Sequence, residues 1–440
     1  MIPSETTVAL ISLGCPKNLV NSEEMLALLG EAGYRFTSEL SEADAVIVNT
    51  CAFIDAAKSE AIEKILEVAS YREEKPDLKI IVTGCLAQRY YKEIRSELPE
   101  VDAIVGTGSY GEIVSALEQT LAGEKPLCRG PITFPLTETS RMVSTGPAWA
   151  YIRIAEGCDN RCAYCVIPSM RGRFRSRPIE SIVKEAKALS ESGVRELIIV
   201  AQDITHYGTD LYGHHALAPL LKELCQLNFD WIRLHYLYPE ETDDELIDVI
   251  ASEEKIVKYL DIPIQHINDA ILKRMNRRGT GDDIRALFRK LRERIPGVVL
   301  RTSLITGLPG EGEAEFEELC TFLREAMIER AGVFPFSPEE GTLAARMDDR
   351  CSTEEAQRRA ELLMDIQAGI MDDFADSLLG RELPVLVMGS EDDGTPWGRS
   401  PYDSPDIDSR VVFSGSAEPG ELVRVRITAV DDGDLIGEQI

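Results

Sequence analysis

No uninterrupted apolar run in the 440 residues reaches the roughly 20 positions that a membrane-spanning helix needs. The start, Met1-Ile-Pro-Ser-Glu5, lacks the basic region and apolar stretch of a secretory signal. The expectation is a cytoplasmic protein with no membrane partner. Basic side chains are also in short supply, with 47 Lys and Arg against 76 Asp and Glu for a net charge of −29. That balance opposes attraction to phosphate backbones, so nucleic acid is not the expected direct substrate, whereas a basic partner would be drawn in. An acidic surface also serves plain solubility. In a reducing compartment the ten cysteines are expected to be metal ligands or buried thiols, not disulfides.

At 44% hydrophobic and 28% charged residues, the chain reads as globular and long enough for several domains. The first part repeats a strand-then-helix unit, with strands at Val8–Leu13, Ala45–Val48, Lys79–Val82 and Val101–Val105. Near-continuous apolar strands alternating with helices indicate a parallel sheet. Asn21, with Glu24 three residues on, reads as a helix start, and Gly33 as its end. Residues 126 to 147, rich in Pro, Gly, Thr and Ser, read as a connecting segment.

The alternation resumes with strands at Ala150–Ala155, Glu196–Ala201, Trp231–Leu237, Tyr259–Ile264, Val298–Ile305 and Gly332–Phe336. Helical runs such as Ile179–Ser192, Asp282–Arg294 and Glu313–Glu329 lie between them. Six such units predict a partial strand-helix barrel, whose site belongs at the C-terminal ends of the strands. A charged helix over Thr353–Leu379, capped by Ser352 with Glu355, leads to short alternating strands that predict a small β-barrel. The fold class is therefore α/β, in three parts: an N-terminal parallel-sheet domain over 1–130, a partial (β/α)6 barrel over 145–350, and a C-terminal β-barrel over 380–440.

Cys158, Cys162 and Cys165 follow the first barrel strand in a Cys-x3-Cys-x2-Cys loop that lacks a fourth cysteine. A cubane iron-sulfur cluster usually takes four thiolates, so three leave one iron open to a substrate. Zinc, the alternative, closes its structural sites with four ligands, and the next histidine downstream is the distant His206. The spacing, with Tyr164 directly before the last cysteine, resembles the radical S-adenosylmethionine enzymes. The resemblance implies a 4Fe-4S cluster whose open iron chelates the methionyl end of S-adenosylmethionine (SAM). It also implies an electron that splits SAM into methionine and a 5'-deoxyadenosyl radical. Residues 151 to 177 carry six arginines against Glu156 and Asp159, a local excess around this loop.

Cys15, Cys51 and Cys85 each come shortly after a predicted parallel strand. Strands that end together bring such residues to one sheet edge, where ligands of open sheets bind. Singly, each reads as a buried thiol; the threefold recurrence makes a second three-thiolate cluster site the better reading. Cys128, Cys225, Cys320 and Cys351 show no such pattern. Gly106-Thr-Gly108-Ser-Tyr-Gly111 matches a dinucleotide-binding glycine pattern, but it follows the fourth strand, with no further strand after its helix. It is read as a tight turn with a helix cap.

Together these features resemble the methylthiotransferase family over essentially the full chain. The resemblance rests on Ser12–Val20, Ala155–Cys165, Arg171–Arg177, Leu234–Pro239, Pro263–Asn268 and Phe336–Thr342. Pro16-Lys17-Asn18 and Gln265-His266-Ile267 depart from the tRNA-modifying relatives and favour the branch that modifies an aspartate of ribosomal protein S12. Asn21 stands where that family would have aspartate, and Pro335 is unusual for a strand unless at an edge. The resemblance implies two 4Fe-4S clusters and SAM. On Cys15, Cys51 and Cys85, cluster-bound sulfur would accept a methyl group; on Cys158, Cys162 and Cys165, SAM would yield the radical that takes hydrogen from the aspartate β-carbon. Its implied partners are S12 and a low-potential electron donor. Cofactor contacts are expected from Tyr164, Gln202, Gln265, Ile305 and Gly307, the two glutamines reading equally as satisfied polar groups of the barrel. The C-terminal region resembles a TRAM domain. Its charge of −8, from 5 basic and 13 acidic residues, argues against nucleic acid and for docking a basic protein such as S12.

Overall fold

A computed structural model describes residues 3–133 and 140–440; Pro135 of the expected connector lies outside the described residues. The N-terminal sheet comprises β1 (Thr7–Ser12), β2 (Arg35–Phe36), β3 (Ala45–Thr50), β4 (Lys79–Gly84), β5 (Ala103–Gly106) and β6 (Leu127–Cys128). They pair in the order β2-β1-β3-β4-β5-β6, all parallel. Because side chains alternate across a strand, Val46, Val48, Ile80 and Val82 face one core with Ala61 and Ile65 of the Asp55–Ser70 helix. Ala45, Ile47 and Ile81 face another with Met25 and Leu29 of the Pro16–Glu31 helix. Apolar strands covered on both faces are what a parallel sheet requires.

Three sequence expectations change here. Asn21 does not start a helix: Pro16 occupies the first turn, where its missing N–H costs nothing, and Cys15 is the N-cap. Asn21 is instead buried in mid-helix, where its side-chain amide donates to Glu24 Oε2 at 3.0 Å. Gly33 does follow the helix end, at φ 92°. The 126–147 segment is not wholly a connector, since Leu127 and Cys128 form β6 beside β5. The glycine turn at 106–111 is thereby closed over, because a Cβ on Gly108 would meet Gly130 O at 2.5 Å. It is a packed turn, although among the described residues no side chain caps the helix after it.

The central sheet contains β7 (Trp149–Arg153), β10 (Glu196–Val200), β11 (Trp231–Leu234), β12 (Ile256–Asp261), β13 (Val299–Thr306) and β14 (Arg330–Pro335). They follow one another in sequence order, an open six-stranded barrel wall. A small antiparallel pair, β8 (Ala155–Glu156) and β9 (Arg175–Ser176), flanks the first strand. Pro335 lies on the edge strand β14, where its missing donor breaks no ladder. The Thr353–Ser377 helix begins at Ser352, whose side chain accepts from the Glu355 amide at 3.2 Å. The box is not completed, because Glu355 turns its carboxylate to Arg358 and Arg359.

The C-terminal strands β15 (Glu382–Ser390), β16 (Pro396–Arg399), β17 (Val411–Ser414), β18 (Leu422–Asp431) and β19 (Asp434–Gln439) close a barrel. Its 399–408 segment enters the central barrel at the end where the strands begin. Glu196, the first residue of β10 and 0% exposed, takes Arg233 Nε at 2.7 Å and Arg399 from the C-terminal barrel. Arg330 donates to Asp403 at 2.7 Å, Tyr259 to Asp408 at 2.6 Å, and Ser404 meets His235 at 2.9 Å. Burial opposes the charge on Glu196, but the two guanidinia outweigh it and hold its carboxyl below the usual range.

Removing one member of such a buried set strands the others. Glu196→Ala is expected to cost about 3–5 kcal/mol, read as a fall in the thermal unfolding midpoint. Glu382→Ala, at the exposed Glu382–Arg426 pair, should cost under about 1 kcal/mol in the same measurement.

Candidate functional site

The C-terminal ends of β1, β3 and β4 set the first group of thiols. Ser12 is in register with Asn49, and Thr50 with Gly84, so Cys15, Cys51 and Cys85 leave the sheet side by side. Their loops are drawn tight at two glycines. A Cβ on Gly14 (φ 86°) would meet Cys51 Cβ at 2.7 Å, and one on Gly84 (φ 93°) would meet Thr50 O at 2.4 Å. Only glycine fits either position. Asn18 pins the arrangement, its amide donating to Leu13 O at 2.7 Å and to Asn49 O at 3.3 Å. In return the Asn49 amide donates to Asn18 O at 2.9 Å.

Burial works against ionising Cys15, yet the charges of Lys17 and Arg171 outweigh it and hold the thiol below its ordinary value. Cys51 is pushed up to about 12 by burial, with Cys15 and Cys85 adding like charge. Burial also raises Cys85, although Arg171 offers its sulfur a hydrogen bond at 3.4 Å. The thiolate is the ligand form, so metal loading here expels protons.

The second group lies beyond β8. Gly157 (φ 84°) passes so near the β9 side that a Cβ would meet Arg173 O at 2.1 Å. The loop is then clamped at its middle: Ala163 N donates to Met275 O, and Ala344 N to Ala163 O, both at 2.9 Å. Cys162 Sγ lies 3.3 Å from the Tyr238 hydroxyl and 3.9 Å from Arg277. Burial pushes Cys158 up to about 12 and raises Cys165 as well, Cys162 adding like charge to both. Cys158 also lines a surface cleft with Asn160, Arg161, Arg173, Asp203 and Arg278.

Between the groups stands Arg171, 4% exposed. It donates to Asn21 Oδ1 at 2.7 Å, Asn18 Oδ1 at 3.0 Å and Glu156 Oε2 at 3.2 Å. Glu156 in turn takes Arg153 at 3.1 Å and the Gln202 amide. The N-terminal sheet edge and the mouth of the central barrel thus share one buried ionic cluster. Sequence reading singled out neither Arg171 nor Glu156 as site residues; the available signal was the arginine excess around the cysteine loop. Half of those six arginines lie inside, with Arg153, Arg171 and Arg177 buried.

Of the five expected cofactor residues, Tyr164 and Ile305 meet in one apolar patch with Phe336 and Met347. Gln265, at φ 71°, is joined to Ile305 through the backbone. Gln202 is held by Glu156, but its Oε1 is buried with no partner among the described residues. Gly307 points elsewhere: its amide goes to Glu311 at 2.9 Å, and a Cβ would meet Ala356 at 2.5 Å. Arg161, Tyr236, Gln265 and Asn276 all take positive φ, backbone strain gathered around the mouth.

Each group supplies three thiols crowded enough to feel one another's charge, a donor set that fits a cubane with one iron left open. Among the described residues no three His, Cys, Asp or Glu converge on a point for a single ion. A cubane asks for something else, since each thiolate goes to its own iron. Cys225 and Cys320 are buried in helices, Cys128 lies on β6, and Cys351 packs beside Gly307.

Residues 7–106 match the model of Uncharacterized protein family UPF0004, 152–323 the Radical SAM superfamily and 379–440 the TRAM domain. Among solved structures, the radical S-adenosylmethionine methyltransferase TsrM from Kitasatospora setae, with cobalamin and a 4Fe-4S cluster bound, shares the fold. It gives a TM-score of 0.55 at 15% identity, over 78% of this chain and 77% of that one. The cobalamin-dependent enzyme OxsB gives 0.51 at 13% identity, over 82% and 56%. Much nearer in sequence are proteins named ribosomal protein uS12 methylthiotransferase RimO. That of Lachnoclostridium phytofermentans is 48% identical, covering 97% of this chain and 98% of its own. That of Geobacter sulfurreducens is 47% identical, covering all of both. On identity of this extent across all three parts, the chain belongs to the RimO family of methylthiotransferases, within the radical SAM superfamily.

Proposed function

We propose that this chain attaches a methylthio group to the β-carbon of an aspartate of ribosomal protein S12. Its cofactors in this reading are SAM and two 4Fe-4S clusters, one on Cys158, Cys162 and Cys165, the other on Cys15, Cys51 and Cys85. The observation that carries the reading is the pair of three-cysteine groups joined across one domain interface by Arg171. When bound, the clusters supply the sulfur that takes a methyl group from one SAM and the electron that splits a second.

The chain's own residues enclose and orient. Tyr164 and Ile305 give SAM an apolar wall, and Gln202 Oε1 offers an acceptor to its amino group. Arg277, stacked 4.1 Å over the Tyr238 ring, sets a positive charge beside Cys162. Closure between the sheet edge and the barrel mouth keeps water from a radical. The low-potential electron donor approaches by the cleft at Cys158, where Arg161, Arg173 and Arg278 stand. The acidic turns of the C-terminal barrel, with exposed Asp392, Asp393, Glu418 and Glu421, draw basic S12. Asp403 and Asp408 do not contribute to that surface, because they are engaged within the protein itself.

Anaerobically reconstituted protein should carry about eight irons, and each triple Cys→Ala variant about half. An intact iron count after losing Cys15, Cys51 and Cys85 would remove the second cluster. With SAM, reductant, sulfide and S12 peptides, the expected products are 5'-deoxyadenosine and a methylthio mass gain on the peptide. Methylthio groups appearing on tRNA instead would transfer the activity to RNA. No SAM cleavage with both clusters verified would leave an electron carrier or sulfur scaffold.

A further inference from the structure

Buried cations in this protein nearly always have a carboxylate. Arg153 has Glu24 and Glu156, Arg171 has Glu156, Arg233 has Glu196, Arg359 has Glu311 and Arg330 has Asp403. Two lack one among the described residues: Arg277, which stacks on Tyr238 beside Cys162 in the second thiol group, and Lys17. Lys17 is 7% exposed, and among the described residues no carboxylate stands within ion-pair distance of its ammonium. What it has is the Tyr236 ring, 3.7 Å from Nζ to centroid. Its other neighbour is the Cys15 sulfur, whose thiol it holds down, so the ammonium has a ring and a thiol beside it but no carboxylate, and a substrate carboxylate can join it.

The position of Lys17 is equally specific. It lies in the first turn of the Pro16–Glu31 helix, two residues after Cys15. Tyr236 belongs to the other wall, two residues after the β11 end, and is held at φ 66°. Its carbonyl accepts from Ile204 N at 3.1 Å and its amide donates to Asp261 at 3.3 Å. Two carboxylates bordering this space are taken, Asp261 by Arg301 at 3.0 Å and Glu156 by its two arginines and Gln202. The ammonium is thus kept available where the two domains meet.

We infer that Lys17 binds the side-chain carboxylate of the substrate aspartate and is the residue that selects aspartate. The inference rests on the reading that this chain modifies an aspartate of S12. That carboxylate is bonded directly to the β-carbon, so an ion pair to it fixes the C–H bond to be broken. It also sets that carbon beside the Cys15 group that would deliver the methylthio unit. A site whose buried ammonium lacks a carboxylate partner disfavours the neutral isostere, because asparagine cannot supply one. Lys17 is on this account a binding and positioning residue and takes no proton.

The test uses the fully loaded enzyme and S12 peptides in which each aspartate in turn is Asp or Asn. KM comes from turnover, and Kd from the anisotropy of labelled peptides. The wild type should favour the target aspartate over asparagine by about tenfold or more in Kd and KM. Lys17→Gln should bring the ratio close to one, and Lys17→Arg should restore part of it. A Lys17→Gln protein with both clusters intact that still discriminates as the wild type does overturns the inference. So does a wild type that binds both peptides equally, which needs no variant to fold. If the wild type cleaves SAM but modifies no S12 peptide, the S12 reading itself has failed, and the inference falls with it.

Discussion

The arrangement depends on one buried carboxylate. Glu156 sits two residues before Cys158 and is 4% exposed, so it must be matched or neutralised. Arg153, Arg171 and Gln202 match it, and burial is outweighed to the point that its carboxyl stays below the usual range. Arg171 then has donors to spare, and it spends them on Asn18, Asn21 and Cys85 in the other domain. A planar guanidinium with five N–H groups can serve four acceptors at once, which an ammonium cannot. The relative placement of the two cysteine groups therefore follows from satisfying a single buried charge.

Much of this was legible in the sequence because strand signals and cysteine placement reinforce each other. Val46 to Val48 and Ile80 to Val82 are apolar without interruption, which suits only strands covered on both faces. Once those strands are parallel and in register, Cys15, Cys51 and Cys85 must share an edge. The Cys-x3-Cys-x2-Cys loop needs no fold to be noticed, since its spacing is local.

What escaped depends on contacts between distant segments. Asn21 looks like a cap, but Pro16 begins the helix a turn earlier, and the amide of Asn21 is recruited across the interface. Leu127 and Cys128 are too short a run to announce a strand, and only the free edge of β5 makes them one. Arg399, Asp403 and Asp408 read as surface charges in a polar stretch, yet they are buried against Glu196, Arg330 and Tyr259. No local pattern marks a charged residue whose partner is a domain away. Gly307 shows the converse, a glycine in a motif that suggests cofactor contact but whose freedom lets it pack on Ala356.

The 399–408 segment bears on how such proteins can diversify. A C-terminal barrel tied on by a flexible linker could be exchanged among relatives as a module. Here Arg399, Asp403, Ser404 and Asp408 supply the floor of the neighbouring barrel, and their charges answer those on β10 and β14. A graft that carries the barrel but not the matching strand starts brings an unpaired guanidinium, Arg399, and unpaired carboxylates, Asp403 and Asp408, into the interior of its new host. Recombination at this boundary is consequently restricted to parents that share both halves of the floor, and changes in what the C-terminal barrel recognises must come through its exposed turns.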